Sequence, residues 1–203
     1  MNVIHAIIFG ISGYLLGAIP FAVIIARSKG VDIFSYGSGN PGATNVKRAC
    51  GKTAGNLCFF LDAFKGFLAA ILPVWSSMLG AELGNVKMLC VVGLLAAIVG
   101  HMYPIFTKFR GGKGVSVTIG GLAAFMWAAI LIGLVVWVVA FYSTKYVSVA
   151  SILMAASLPL SSPFLYGFNS AQTVLACFLA VVVIYKHKSN IQRLINGTEN
   201  RFK

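Results

Sequence analysis

The sequence predicts an all-α fold, a polytopic bundle of membrane-spanning helices, and three observations carry that prediction. The first is composition: of 203 residues, 59% are hydrophobic and 10% are charged, against roughly 25% charged in an average soluble domain. The second is the spacing of the charges, which leaves uncharged stretches at Asn2 to Ala26, Gly66 to Ala81, Met88 to Thr107, Gly114 to Thr144 and Tyr146 to Tyr185. Several exceed the roughly 20 residues that cross a ~30 Å hydrocarbon core. The third is sign. The chain carries 16 Lys and Arg against four Asp and Glu, a net charge of +12, and most of the basic residues flank apolar spans, as the positive-inside bias requires. That placement makes the lipid bilayer, and not nucleic acid, the partner of the basic excess. No linker or internal repeat divides residues 1–203, so one integral-membrane domain is the simplest count.

The elements follow in order. Val3 to Ala26 lacks a basic region before its apolar run and reads as a retained span, not a cleaved signal. Arg27, Lys29, Lys47, Arg48 and Lys52 come next, then Lys108, Arg110 and Lys113 after the third span, then Lys186, Lys188, Arg193, Arg201 and Lys203 at the end. All three clusters are expected in the cytoplasm, which puts the N-terminus outside and the C-terminus inside. Leu57 to Leu79 and Met88 to Phe106 form a hairpin whose outer turn carries Glu82 and Lys87. Because the second and third clusters share a side, Val115 to Tyr185 must cross an even number of times. Two spans with re-entrant pieces, or four short or tilted ones, satisfy this. Four is the preferred reading, giving seven spans, with Gly114 to Thr144 folded as two short helices. Lys145 then marks an inner turn, and Pro159, Pro163 and Asn169 an outer one.

Each expected cytoplasmic cluster holds more than charge. The first runs Gly37-Ser38-Gly39-Asn40-Pro41-Gly42-Ala43-Thr44-Asn45-Val46-Lys47-Arg48. Glycines allow positive φ and close approach to a ligand, and successive N–H groups in such turns make anion-binding nests. Ser38, Thr44 and Asn45 add side-chain donors, and Arg48 offers two bonds to one phosphate. A phosphate cradle is favoured over a plain flexible loop. The GxGxxG match at Gly37, Gly39 and Gly42 is accidental, since a transmembrane span and not a strand precedes it. The second cluster runs from Gly100 through His101 to Gly111-Gly112-Lys113-Gly114-Val115. Open N–H groups and a lysine at a helix start suit a phosphate. Simple anchoring of Lys108, Arg110 and Lys113 to headgroups is the alternative, and His101 reads equally as a structural histidine. In the tail, His187, Asn190 and Arg193 recur at i, i+3, i+6 and share a helical face; a solvated amphipathic tail is the alternative.

Asp62 and Lys65 are intramembrane charges at i, i+3, each costing roughly 2.5–3.5 kcal/mol at a helix centre, and are read as a structural pair. Ser148 and Ser151 follow Lys145 and offer hydroxyls, with helix packing as their plain reading. Cys50, Cys58, Cys90 and Cys177 show no CxxC or Cys/His ligand spacing, so neither disulfide nor metal is expected. The carboxylates are Asp32, Asp62, Glu82 and Glu199 alone, and no serine sits in a nucleophile elbow. None of the three histidines begins a His-x4-Asp motif, the positions being Gly10, Phe106 and Gln192. An enzyme built from these parts relies on positioning and electrostatics. A transporter for phosphate-bearing solutes would use the same anion nests, but would need polar residues across the midplane; Asp62 and Lys65 come nearest and lie towards the inner side.

The Gly37 to Arg48 loop, the Gly100 to Val115 loop and the His187 to Glu199 tail closely resemble the three motifs of the bacterial acyl-phosphate:glycerol-3-phosphate acyltransferases. Val115-Ser116-Val117-Thr118 departs slightly from that family's usual Val-Ala-Thr and leaves the glycines and lysine intact. The resemblance implies a seven-helix protein of the bacterial inner membrane with its site facing the cytoplasm. It implies acyl transfer from acyl phosphate to the 1-hydroxyl of sn-glycerol 3-phosphate, giving lysophosphatidic acid and inorganic phosphate, with no cofactor and no obligate protein partner. Carried onto matching positions, it makes Ser38, Arg48, Lys113, His187 and Asn190 the catalytic group. Gly39, Asn40, Gly42, Thr44, Asn45, His101, Gly111, Gly112, Ser151, Arg193 and Glu199 are the implied substrate-binding residues. His187 is expected to orient glycerol 3-phosphate, with general-base action as its rival role, and Glu199 to clamp the tail.

Overall fold

A computed structural model describes residues 2–202 and, among them, holds helices and no strand. The helices fall into two compact units, one ending at Phe125 and one beginning at Met126.

In the first unit, α1 (Val3–Ala18) starts at Asn2, whose side chain accepts the Ile4 N–H, and stops where Pro20 removes a donor. The chain resumes at once as α2 (Phe21–Arg27), so Val3–Arg27 forms one apolar span with a break at Ile19–Pro20. The polar loop leads to α3 (Ala43–Cys50), and Gly51 turns the chain into α4 (Lys52–Met78). Asn85 caps α5 (Val86–Met102) by accepting the Met88 N–H, leaving residues 79–85 as the turn between two apolar helices. Glu82 lies in that turn as expected, while Lys87 is already in the first turn of α5. After a 3₁₀ turn at Ile105–Thr107 the chain reaches α6 (Val115–Ala123), only nine residues long.

The first unit packs backbone against backbone. A methyl group added at Gly17 would strike the Ala97 carbonyl, one at Gly66 the Val117 carbonyl, and one at Gly120 the Ala63 carbonyl. These close approaches place α1 on α5 and α6 on α4. Small residues at helix interfaces replace the hydrophobic drive that lipid removes. Many large apolar side chains point outward, among them Ile4, Ile7, Ile8, Ile11 and Leu15 of α1, while Leu89, Leu94 and Leu122 fill the interior.

In the second unit, α7 (Trp127–Thr144) ends at Lys145 in the left-handed region, α8 (Val147–Tyr166) returns, and Ser170 caps α9 (Ala171–Lys186). A bend of 54° at His187 then leads to α10 (Lys188–Ile195). Two expectations change here. Pro159 and Pro163 stand inside α8, and the turn is made by Gly167 and the residues up to Ser170, Asn169 among them. A proline costs the helix one i→i−4 bond, and α8 carries both without ending; Ser157 and Ser161 turn their hydroxyls back onto its own backbone, at Met154 O and Ser157 O. The Gly114 to Thr144 stretch does form two helices, α6 and α7, but only α6 is short.

Among the described residues, five helical segments are long and apolar enough to cross a membrane, and α9 with α10 makes a sixth if the bent pair counts as one. Length alone therefore does not yield seven. At 1.5 Å per residue the nine residues of α6 span about 14 Å.

Candidate active site

The first polar loop is organised by Asn45, which is 1% exposed. Its Nδ2 donates to Ile33 O at 3.3 Å and to Tyr36 O at 2.9 Å, and its Oδ1 accepts from the Ser38 N–H at 3.3 Å. The three bonds fold the segment around one buried amide. Asn45, expected as a substrate donor, therefore spends its side chain on the loop itself. Gly37 and Gly39 take φ of 57° and 65°, and a Cβ on Gly37 would lie 2.6 Å from Asn45 Oδ1, so the turn needs glycine for both conformation and space. Gly42 starts α3 without a side-chain cap, leaving the first-turn N–H groups of Ala43 and Thr44 without intrahelical acceptors. Thr44 and Arg48 lie on one face of α3, at i, i+4, and both are half-buried. Tyr36 ties the loop down by donating its hydroxyl to Arg48 O at 3.4 Å.

The second loop folds against the first. Gly112 N–H donates to His101 O at 3.1 Å, bending Gly111-Gly112 back over the end of α5. A Cβ on Gly112 would meet the His101 ring and stand 3.1 Å from Pro41 O of the first loop. The Arg110 guanidinium lies 4.4 Å from the centre of the Phe34 ring, a cation–π contact that also bridges the loops. Lys113 is half-buried, and Gly114, at φ 85°, begins α6 without a side-chain cap. Ser38, Gly39, Asn40, Gly42 and Thr44 thus share one loop cluster with Gly111, Gly112 and the lysine between Gly112 and Gly114. Glycine turns with uncapped helix starts and two flanking cations make an anion-binding arrangement.

Beneath the cluster lies a narrow cavity lined in part by Pro41, Asp62, Lys65, His101, Gly111 and Gly112. Lys65 Nζ is 2.8 Å from Asp62 Oδ1 and donates to Ile19 O at 2.8 Å, while His101 Nδ1 stands 3.6 Å from Asp62 Oδ1. The structural pairing of Asp62 with Lys65 holds, and His101 joins it.

The second unit carries the tail residues. His187 is buried at the bend, its Nδ1 2.7 Å from Val183 O; donation from that nitrogen makes Nε2 the acceptor in the neutral ring. Asn190 Nδ2 donates to Glu199 Oε1 at 2.7 Å, Arg193 Nε to Glu199 Oε2 at 2.7 Å, and Ser148 Oγ to Glu199 Oε1 at 2.9 Å. Burial pushes the Glu199 carboxyl up, but the bonds from Asn190, Arg193 and Ser148 and the guanidinium charge outweigh it and hold the group below its ordinary range. The i, i+3 face of α10 is thus gathered by one carboxylate. Ser151, expected with His187 and Asn190 at the substrate, accepts from Trp137 Nε1 at 3.4 Å, and its neighbour one turn earlier, Ser148, meets Glu199. Both hydroxyls stand out in the sequence; which one turns to the tail depends on a contact fifty residues away, which spacing does not reveal. The Arg110–Phe34 contact and the meeting of Gly112 with Pro41 were likewise invisible. No group of three His, Cys, Asp or Glu side chains suited to a metal occurs among the described residues.

The sequence comparisons fit this geometry. Residues 7–197 match the family model described as glycerol-3-phosphate acyltransferase. Glycerol-3-phosphate acyltransferase of Aquifex aeolicus (strain VF5) is 43% identical over 206 aligned positions, covering 100% of both chains, and that of Syntrophotalea carbinolica is 41% identical, covering 95% of each. Crystal structures of PlsY (YgiH), an integral membrane glycerol 3-phosphate acyltransferase, superpose with TM-scores of 0.87 in the glycerol 3-phosphate form and 0.84 in the lysophosphatidic acid form. Both are 41% identical and cover 98% of this chain, and 96% and 95% of theirs. With two of its three polar segments folded into one basic, glycine-rich cluster, and this likeness running over residues 7–197, the chain belongs to the glycerol-3-phosphate acyltransferase family.

Proposed function

We propose that this chain transfers a fatty acyl group from acyl phosphate to the 1-hydroxyl of sn-glycerol 3-phosphate, giving lysophosphatidic acid and inorganic phosphate as the first acylation of phospholipid synthesis. The observation that carries the reading is the paired glycine turn of the first unit, Gly37 to Thr44 against Gly111 to Gly114, flanked by Arg48 and Lys113. It offers N–H groups and cations to phosphate and contains no carboxylate. Both substrates of the proposed reaction carry a phosphate, and the similar PlsY structures hold glycerol 3-phosphate or lysophosphatidic acid. The family match runs through both units, which supports one acyltransferase domain over 1–203.

In this reading Ser38, Arg48 and Lys113 hold phosphate oxygens, with backbone donors from Gly39, Asn40, Gly42 and Thr44 around them. Asn45 acts through the loop it organises. His187 and Asn190 orient glycerol 3-phosphate, Ser151 adds a hydroxyl to the substrate-binding group, and Arg193 and Glu199 hold α10 in place. The acceptor oxygen attacks the acyl carbonyl carbon, the carbon–oxygen bond to phosphate breaks, and the departing phosphate takes the hydroxyl proton. A mixed anhydride has a good leaving group, so the step needs no protein nucleophile, which suits a cluster lacking one. The residues supply positioning and charge stabilisation. The site faces the cytoplasm of a bacterial inner membrane, as the basic residues that flank it favour.

The test is phosphate release by purified protein given palmitoyl phosphate and glycerol 3-phosphate, with parallel reactions lacking the acceptor or supplying palmitoyl-CoA. Release that needs both substrates, with lysophosphatidic acid formed and the CoA donor inactive, is the expected result. Acceptor-independent release, or none from folded protein, refutes the reading.

A further inference from the structure

Asp62, Lys65 and His101 are buried, at 1%, 2% and 8% exposure, yet the proposed chemistry uses neither of the two charges. A buried ion pair is weak ground for stability, because apolar replacements of similar volume often do as well. What these three side chains touch is more specific. Lys65 donates to Ile19 O, at the break that Pro20 makes in the first span. Asp62 lies against Lys65 and against Nδ1 of His101. The opposite edge of that ring, Nε2 and Cε1, is the surface on which Gly112 rests, close enough that a Cβ there would collide. The carbonyl of His101 also receives the Gly112 N–H. The chain of contacts therefore runs from the α1–α2 break through α4 to α5 and ends under the residue before Lys113.

We propose that Asp62, Lys65 and His101 form a positioning strut that fixes the height and tilt of the Gly111–Gly112 turn, and through it the place of Lys113 in the phosphate site. His101 on this account supports the site from below and does not itself contact substrate. The inference rests on the acyltransferase reading for its kinetic consequences, but not for its structural one. Side chains at the wall of a glycine turn act this way because a displacement of about 1 Å in a binding group costs on the order of 100-fold in rate.

The experiment compares wild type with three variants. Asp62→Asn alone would strand a lysine in the membrane and threatens folding, so Asp62→Asn/Lys65→Met removes both charges together. His101→Leu removes the ring's polar edge, and His101→Gln keeps a polar atom near the place of Nε2, under Gly112. Each is purified, melted, and assayed for KM and kcat with both substrates, alone and combined with Lys113→Ala. The expected result is a loss of about tenfold or more in kcat/KM for the double variant and for His101→Leu, with His101→Gln losing less than His101→Leu. The KM-against-kcat pattern should be that of Lys113→Ala. Combined with Lys113→Ala, the losses should fall well short of multiplying, since strut and lysine then act as one unit. A fully multiplicative loss, or wild-type kinetics in His101→Leu, overturns the proposal. Amide hydrogen exchange over residues 111–115 decides it independently of activity. The strut requires faster exchange in the double variant, and an unchanged rate there rejects it even if the acyltransferase reading itself fails in the wild-type assay.

Discussion

Arg48 and Lys113 carry the charge of the proposed phosphate site, and the two are not equivalent. Arg48 projects from α3 and can fork two bonds to one phosphate, whereas Lys113 sits between glycines as a compact point charge. Arg48→Lys is therefore expected to recover little of what Arg48→Ala loses. Each alanine variant should lower kcat/KM by about 100-fold, the scale of one preorganised donor, while the protein still inserts and melts normally; steady-state assays with circular dichroism check both halves. Glu199 acts differently, as a clamp. Its side chain is 5% exposed and takes bonds from Ser148, Asn190 and Arg193. Its folded value is lowered from the ordinary 4.5, so its stabilisation is fully present above that pH and is lost as pH falls through the lowered value. Melting temperature should accordingly drop on acidification below about pH 4.5, and Glu199→Gln should lack that component of the slope. At neutral pH Glu199→Ala should cost about 2 kcal/mol, the order of a charged hydrogen bond.

At the scale of helices, the spans of α1, α4 and α5 were legible because long apolar runs and flanking charge are local properties of a sequence. The glycine loops were legible too, because positive φ and helix starts leave a residue-level trace. Helix packing leaves a fainter trace, the small-residue spacing of Gly13-x-x-x-Gly17, which marks a contact face without naming its partner. The partner carbonyls, Gly93 O and Ala97 O, lie about eighty residues on, and no local pattern names them. The prolines of α8 point to a turn for a related reason: in water a proline usually ends a helix, whereas membrane helices tolerate it, a property of the surroundings and not of the local sequence. The glycines yield a graded prediction. Gly10→Ala meets only Val92 at 3.8 Å and should be neutral or slightly stabilising. Gly120→Ala would drive its methyl into the Ala63 carbonyl on α4 and should cost about 1–3 kcal/mol or more, since backbone cannot step aside as a side chain does. Parallel thermal melts in one detergent read the difference directly.

For the whole molecule, helix length and charge placement give different tallies of crossings, and the difference can be resolved. After the second basic cluster, α7 and α8 each qualify as spans, and α9 with α10 qualifies as a bent one, which makes three. An odd number would put Lys108, Arg110 and Lys113 on the opposite side of the membrane from Lys186, Lys188 and Arg193. The positive-inside bias opposes that arrangement. Adding α6 restores an even number and brings the total to seven, at the cost of passing a nine-residue helix through a core of ~30 Å. Such a helix spans about half the core. Its start belongs to the Gly114 turn, and Ala124 to Met126, which link it to α7, supply further length. We therefore expect the link at 124–126 to lie outside. In a cysteine-free background, single cysteines at Ala124 and at Glu82 should react with a membrane-impermeant thiol reagent in intact cells. Cysteines at Lys29 and Lys108 should react only after the membrane is opened. Labelling of Glu82 but not Ala124 in intact cells would leave α6 as a re-entrant helix. The N-terminus would still lie outside, but the two later basic clusters would then face opposite compartments unless α9 also failed to cross, and a cysteine at Lys188 would tell which.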